Sequence, residues 1–383
     1  MSSRLSIICI WVCFIALLVL GVVMVASTGL CAATPEGTDP AQFLIKQGGF
    51  ALLGLLVALG LSATDYHKLR HWVNFAWVVC VILLICCYLP FIGKTINGES
   101  RWIGLGITFQ PSELAKICLM MSMAHWYTTH REMAGTFWKG FAIPGGILFG
   151  IPLVLILMEK DMGTSAALAM SGFCVMWVAG TRWWLLLLAI LLGSLALYVL
   201  MTSSPNRMQR IEAWYDPQAF SQGAGRQQWI ALLALARGGV TGVGLGDGIE
   251  KYGSLPFAHT DFIFAEIGEE WGFFGTLTVL LLYTFLTLGG IVLAVQIKDT
   301  FGRLLATGLV CTIFWPAALN MMVVTSMLPN SGLPLPFISY GGTNLVFTIA
   351  AIGLLTSIQR FTPVARRNYW PLRHRDAVKS TQE

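Results

Sequence analysis

The amino-acid sequence predicts an all-α polytopic membrane protein. It has ten transmembrane helices, both termini in the cytoplasm, and a long outer loop between the seventh and eighth helices that carries a short interfacial helix. Three observations predict this. Of 383 residues, 56% are hydrophobic and 11% charged, whereas an ordinary soluble domain carries about 25% charged residues and needs that polar cover for its exterior. Apolar stretches of nearly the ~20 residues that cross a hydrocarbon core in a helix recur along the chain. The Lys and Arg residues between them fall unevenly on the two sides. The same composition excludes a disordered chain, a collagen-like fibre and a disulfide scaffold. A net charge of +5, from 24 Lys and Arg against 19 Asp and Glu, lends nucleic-acid binding no support.

The ten stretches are 5–25, 43–61, 72–92, 112–127, 141–158, 162–179, 183–201, 271–295, 304–327 and 345–358. The first is too long for a signal-peptide core and is read as a retained span. The last is short and rests partly on the even number that two cytoplasmic termini require. With the N-terminus inside, inner segments hold Arg4, Lys68, Arg70, Arg131, Lys139, Arg182, Lys298 and Arg303. The tail adds Arg360, Arg366, Arg367, Arg373, Arg375 and Lys379, so 14 of the 24 basic residues lie inside. Residues 1–383 thus form a single integral membrane domain with a long outer loop at 202–270 and a basic cytoplasmic tail at 359–383. That tail most simply rests on anionic lipid. In the outer loop an apolar stretch at 229–236, too short to span, precedes a glycine-rich turn at 238–246 and suits an interfacial helix. Eight of nine cysteines fall within spans, and no CxxC or Cys/His spacing marks zinc, so neither a disulfide nor a structural metal is expected.

The few charges then become informative. Fourteen of the 19 acidic residues lie outside or at outer helix ends, and three clusters stand out. In the first, Asn97-Gly98-Glu99-Ser100-Arg101-Trp102 precedes Gln110, which can cap a helix starting at Pro111 with Glu113 in its first turn. Glu113 and Lys116 share a helix face. They read as a cap with a surface ion pair or, since Lys116 carries a cation into a membrane-depth helix, as a functional pair. The second cluster, Glu159-Lys160-Asp161-Met162-Gly163-Thr164, is a tight hairpin in which Asp161 is a natural N-cap. In the third, Thr260 can cap a helix that places Asp261, Glu266, Glu269 and Glu270 in its early turns. Asp261 is flanked by Phe262 and Phe264 at the bilayer edge, where a carboxyl is raised toward the range of a general base. Cap and catalyst both stay open. A last outer segment, 328–342, holds three prolines and three glycines, which forbid continuous helix. Its freed amides suit a phosphate or a simple turn.

Together these stretches resemble the SEDS family (shape, elongation, division and sporulation) of bacterial membrane glycosyltransferases. The resemblance runs through 97–102 with Gln110-Pro111-Ser112-Glu113-Leu114-Ala115-Lys116, then Asp161-Met162-Gly163-Thr164. It continues through 242–246 with His259-Thr260-Asp261-Phe262-Ile263-Phe264, and ends on 332–342. It covers nearly the whole chain and leans to the division branch more than the elongation branch. Phe257, Glu266, Trp271 and the lack of a Pro before Asp161 depart from the usual pattern.

The resemblance implies a peptidoglycan glycosyltransferase at the outer face of the bacterial cytoplasmic membrane, acting at the division septum. It would polymerise lipid II, a disaccharide carried on undecaprenyl pyrophosphate, into β-1,4 glycan strands with inversion. It implies Asp261 as the base that takes the acceptor hydroxyl's proton. Arg101 and Lys116 would bind the pyrophosphate, with Glu113 and Asp161 orienting them or holding a divalent cation (Mg or Mn), the one cofactor left open. Gln110, Ser112, Thr164, His259, Thr260, Ser339, Tyr340, Gly341 and Gly342 would complete the substrate surface. The implied partners are a class B penicillin-binding transpeptidase, other division proteins and membrane lipids. A lipid-linked-sugar flippase and a non-catalytic division scaffold are the competing classes. The outer-face position of the charge clusters disfavours the flippase.

Overall fold

A computed structural model describes residues 3–29, 41–96, 99–105, 107–202, 205–250 and 260–362. His259, Cys31 and the basic tail beyond residue 362 lie outside the described residues. Each of the ten apolar stretches overlaps a helix, in whole or in part. These are α1 (Ser3–Gly29), α2 (Ala41–Ala63), α4 (Val73–Cys86), α5 (Pro111–Thr129), a π-helical segment (Trp138–Gly150) continuing into α6 (Ile151–Met158), and α7 (Met162–Ala179). They continue with α8 (Trp183–Thr202), α11 (Ile263–Gln296), α12 (Thr300–Val324) and α13 (Gly342–Phe361). A short α3 (Tyr66–Arg70) joins α2 to α4, and α9 (Pro205–Tyr215) and α10 (Arg226–Gly238) lie between α8 and α11. Among the described residues, seven helical spans are long and apolar enough to cross a membrane. This is a multi-pass membrane fold.

Three features depart from the sequence reading. The chain is not purely helical. The third span was expected to reach residue 92, but α4 stops at Cys86, because Pro90 cannot donate and disfavours helix at the residue before it. Residues beyond it form an antiparallel sheet, β1 (Gly93–Ile96), β2 (Glu99–Leu105) and β3 (Ile107–Phe109), with Lys94 opposite Trp102 and Gly104 opposite Thr108. Among the described residues, the segment between α8 and α11 holds two helices rather than one. Finally, α11 starts at Ile263 inside the expected loop, and Gly272 (φ 63°, ψ −157°) breaks it into a short buried helix and the span proper. The π-helical segment contains Pro144, whose missing N–H removes a rung of an α-helical ladder.

Lipid is as apolar as a leucine side chain, so helix association in the bilayer depends on close packing and small residues. The structure meets that demand. Helix α1 packs on α11, α2 on α13, and α12 on α5 and α7. Gly353 lets α13 approach so near that a Cβ there would sit 2.5 Å from the Ala58 backbone of α2. Phe14, Leu17, Leu119, Leu304, Leu305 and Ile352 fill the interior with no exposure above 0%. Leu187, Leu191, Leu195 and Tyr198 of α8 face outward, as lipid-contacting side chains do.

Candidate functional site

The N-termini of α5, α7, α11 and α13 gather at one end of the bundle, tied by the contacts that follow. Helix α5 begins with Pro111, whose fixed φ suits a first helical position. Gln110 occupies the N-cap but makes no side-chain cap bond; its amide donates instead to Asp161 Oδ2 at 3.4 Å. Asp161 caps α7 as expected, its Oδ1 accepting the Thr164 N–H at 3.0 Å. Its Oδ2 faces Arg101 Nη1 at 3.6 Å, and Arg101 Nη2 donates to the Lys160 carbonyl at 2.9 Å. The sheet therefore delivers Arg101 to the α6–α7 hairpin.

Glu113 and Lys116 pair as expected, with Lys116 Nζ donating to both carboxylate oxygens at 2.8 and 2.9 Å. Both are buried, beside a cavity of ≈ 10 Å³ lined by Thr312, Phe347 and Thr348, room for about one water. Lys116 lies six residues, or about 9 Å along the helix, beyond Gln110. It is thus closed by Glu113 in a second ion pair, apart from that of Arg101. Ser112 and Thr164, expected on the substrate surface, are buried, so their hydroxyls line the interior.

Asp261 precedes the N-cap of α11, which is Phe262 rather than Thr260. Its carboxylate lies across the turn at Gly332 (φ +65°), where a Cβ would sit 3.4 Å from Asp261 Oδ2. Asn320 of α12, 1% exposed, donates from one amide to the Asp261 carbonyl at 2.7 Å and the Leu333 carbonyl at 2.6 Å. Ser339 donates to the Thr260 carbonyl at 2.6 Å and accepts the Leu335 N–H at 2.7 Å. Its hydroxyl holds backbone. The same 328–342 segment meets α7, because a Cβ on Gly163 would strike Leu333 at 2.6 Å. Tyr340 packs edge-on against Phe43 at 5.3 Å, Gly341 caps α13, and Gly342 lies against the Phe50 ring. Glu269 is taken up by the N–H groups of Ile249 (2.9 Å) and Glu250 (3.4 Å), and Glu270 accepts Ser27 Oγ at 2.7 Å. These two acids brace the fold around the site.

Asp161 and Glu113, the carboxylates that would hold a divalent cation, each face their own organic cation in separate ion pairs. No group of three or more His, Cys, Asp or Glu side chains among the described residues forms a metal-binding set. The donors do not fit an ion, and no step below is routed through one.

The family described as "Cell cycle protein", FtsW–RodA–SpoVE, matches this sequence over residues 7–363. The chain belongs to that family. A relative named probable peptidoglycan glycosyltransferase FtsW, from Geobacter metallireducens, is 38% identical over 345 residues, covering 90% of this chain and 92% of the relative. Stage V sporulation protein E of Bacillus subtilis is 33% identical over 347 residues, covering 90% and 94%. Among solved structures, a chain from work on the structural coordination of polymerization and crosslinking by a peptidoglycan synthase complex superposes with a TM-score of 0.77. It is 28% identical, with 92% of this chain and 96% of that one covered. RodA of Thermus thermophilus gives 0.67 at 27% identity, covering 92% and 95%.

Two residues of this FtsW–RodA–SpoVE chain escaped the sequence reading as site residues. Asn320 is a polar side chain inside an apolar helix, the signal that marks it. Glu159 closes α6 and is 1% exposed, beside the Cys87 thiol. Burial first, and then the neighbouring Asp161, push its carboxyl up to about 8.

Proposed function

We propose that this chain is a division-type peptidoglycan glycosyltransferase that polymerises lipid II at the outer face of the cytoplasmic membrane. The observation that carries the reading is the Asp261 carboxylate held over the Gly332 turn, at the end where four helix N-termini and Arg101 meet. In the proposed reaction an acceptor sugar hydroxyl attacks C1 of the donor chain. Its proton passes to Asp261, the bond from C1 to the pyrophosphate oxygen breaks, and the configuration inverts. The departing undecaprenyl pyrophosphate gathers negative charge. Arg101 and the positive ends of α5 and α7 suit that charge. Lys116 is the second cation, which reaches the pyrophosphate by leaving Glu113.

Both substrates carry lipid tails, so the site opens to the bilayer. Ten spans with both termini cytoplasmic, in one integral membrane domain, give the orientation this requires. The name of the peptidoglycan synthase complex among the structural neighbours supports a penicillin-binding transpeptidase as partner, and the relatives named FtsW support a septal location.

The test is polymerisation of lipid II by the purified full-length chain together with its partner transpeptidase. Asp261→Asn keeps the shape and removes the base, and glycan synthesis is expected to fall at least 100-fold. A near wild-type rate would remove Asp261 from the mechanism.

A further inference from the structure

We infer that Asn320 is a positioning residue for the reaction: its single side-chain amide sets the distance between the proposed base and the loop that the base lies against. The inference rests on the assignment of Asp261 as that base.

Residues 260–262 form a turn ahead of α11, so the carbonyls of Thr260 and Asp261 have no acceptor role in the helix. Inside a membrane protein they need donors from elsewhere. Two side chains supply them, Ser339 to Thr260 at 2.6 Å and Asn320 to Asp261 at 2.7 Å. Satisfying a carbonyl would require only one N–H. Asn320 uses its amide twice, and the second bond, 2.6 Å to Leu333, lands on the residue after Gly332. The Asp261 carboxylate lies against Gly332 itself, 3.4 Å from where a Cβ would stand. One planar NH2 group thus grips both walls of the slot that holds the carboxylate.

The anchor is firm. Asn320 is 1% exposed on α12, a helix packed against α5, α7 and α11. Ser339 closes the same slot from the far side of the loop by accepting Leu335 N–H at 2.7 Å, and Gln47 of α2 donates to the Ser339 carbonyl at 3.3 Å. A shift of about 1 Å between a base and its substrate costs roughly 100-fold in rate while leaving binding contacts elsewhere intact. That is the signature to seek.

Three full-length variants are compared with wild type in the presence of the partner transpeptidase, measuring kcat, KM and the stoichiometry of lipid II binding. Asn320→Leu keeps the branched heavy-atom shape and removes both donors. It is expected to lower kcat about 100-fold, with KM within about threefold and binding stoichiometry unchanged. Asn320→Gln retains the amide on a longer arm and is expected to recover at least tenfold of that loss. Three results would overturn the inference: kcat within threefold of wild type for Asn320→Leu, a fall in kcat matched by an equal fall in binding stoichiometry, or a glutamine variant no better than leucine. The third variant, Asp261→Asn, separates the two readings. If it polymerises normally, base and positioning role fall together; if it is inactive while Asn320→Leu is normal, only the positioning role falls.

Discussion

Glu159 carries a protonation argument that needs no substrate. An exposed glutamate titrates near 4.5, and burial with a neighbouring carboxylate lifts Glu159 to about 8. Between those values the folded protein holds a proton that the unfolded chain has released. Folding stability therefore falls as pH rises through this window, and is level above it. Glu159→Gln removes the titration. Its stabilisation relative to wild type is expected to grow from pH 5 to pH 8, to a few kcal/mol, and then stop growing. Thermal unfolding in detergent at pH 5, 7 and 9 checks this, and a pH-independent difference would refute it. Side chains of this kind separate the legible from the illegible part of the site. The Glu113–Lys116 pair and the Asp161 cap were readable because both partners sit within one turn of sequence. Gln110 looked like a cap by the same logic but bonds 51 residues away. The bonds of Asn320 span 59 and 13 residues, which no local spacing rule reaches.

Among elements, the junction between the 239–244 turn and the α11 break shows how backbone alone positions the site. Val243 and Gly244 donate to the carbonyls of Glu269 and Glu270 at 3.0 and 3.1 Å, and Phe273 donates back to Gly239 at 2.9 Å. Such pairing requires two backbones in contact. A Cβ on Gly242 (φ +81°) would stand 2.1 Å from the Glu270 carbonyl oxygen, and one on Gly272 would stand 2.4 Å from the Gly242 nitrogen. Neither neighbour can yield, because both are main chain. Gly242→Ala is therefore expected to cost several kcal/mol, combining overpacking with a left-handed backbone. Gly60→Ala in α2, where nothing lies within 4 Å, should be neutral or stabilising by up to about 1 kcal/mol. Detergent melting curves of the two variants check the contrast, and equal midpoints would contradict it. The glycine-rich turn was visible in sequence; its partner, a break within an otherwise apolar helix, was not. The sheet offered a better signal. Asn97-Gly98 between alternating residues is a hairpin pattern, yet it sits between long apolar runs that favour reading the interval as loop.

For the molecule as a whole, composition made the solvent legible and the charges made the spans harder to count. Of the ten helical stretches, those that fall short by length or apolarity along their own helices are α4 and α5. Helix α5 falls short because Glu113 and Lys116 of the candidate site lie on it, and α4 because Pro90 ends the helix just before the strands that deliver Arg101. Building the site shortens or polarises the spans that carry it. The proposed orientation then rests on the basic residues, 14 of 24 on the side assigned to the cytoplasm, and under that proposal Arg101, Asp161 and Asp261 lie outside. Single cysteines test that directly in a Cys31→Ser background, since the eight described cysteines are buried or half-buried in or beside the helices. Phe91→Cys, at a position 98% exposed beside the sheet, is expected to react with a membrane-impermeant maleimide on intact cells. Glu132→Cys, exposed after α5, is expected to react only once the membrane is permeabilised. The reversed pattern would put the proposed base and cations on the cytoplasmic side. A polymerase placed there would build glycan inside the cell, so that single result would dismiss the outer-face mechanism even if every residue in it were assigned correctly.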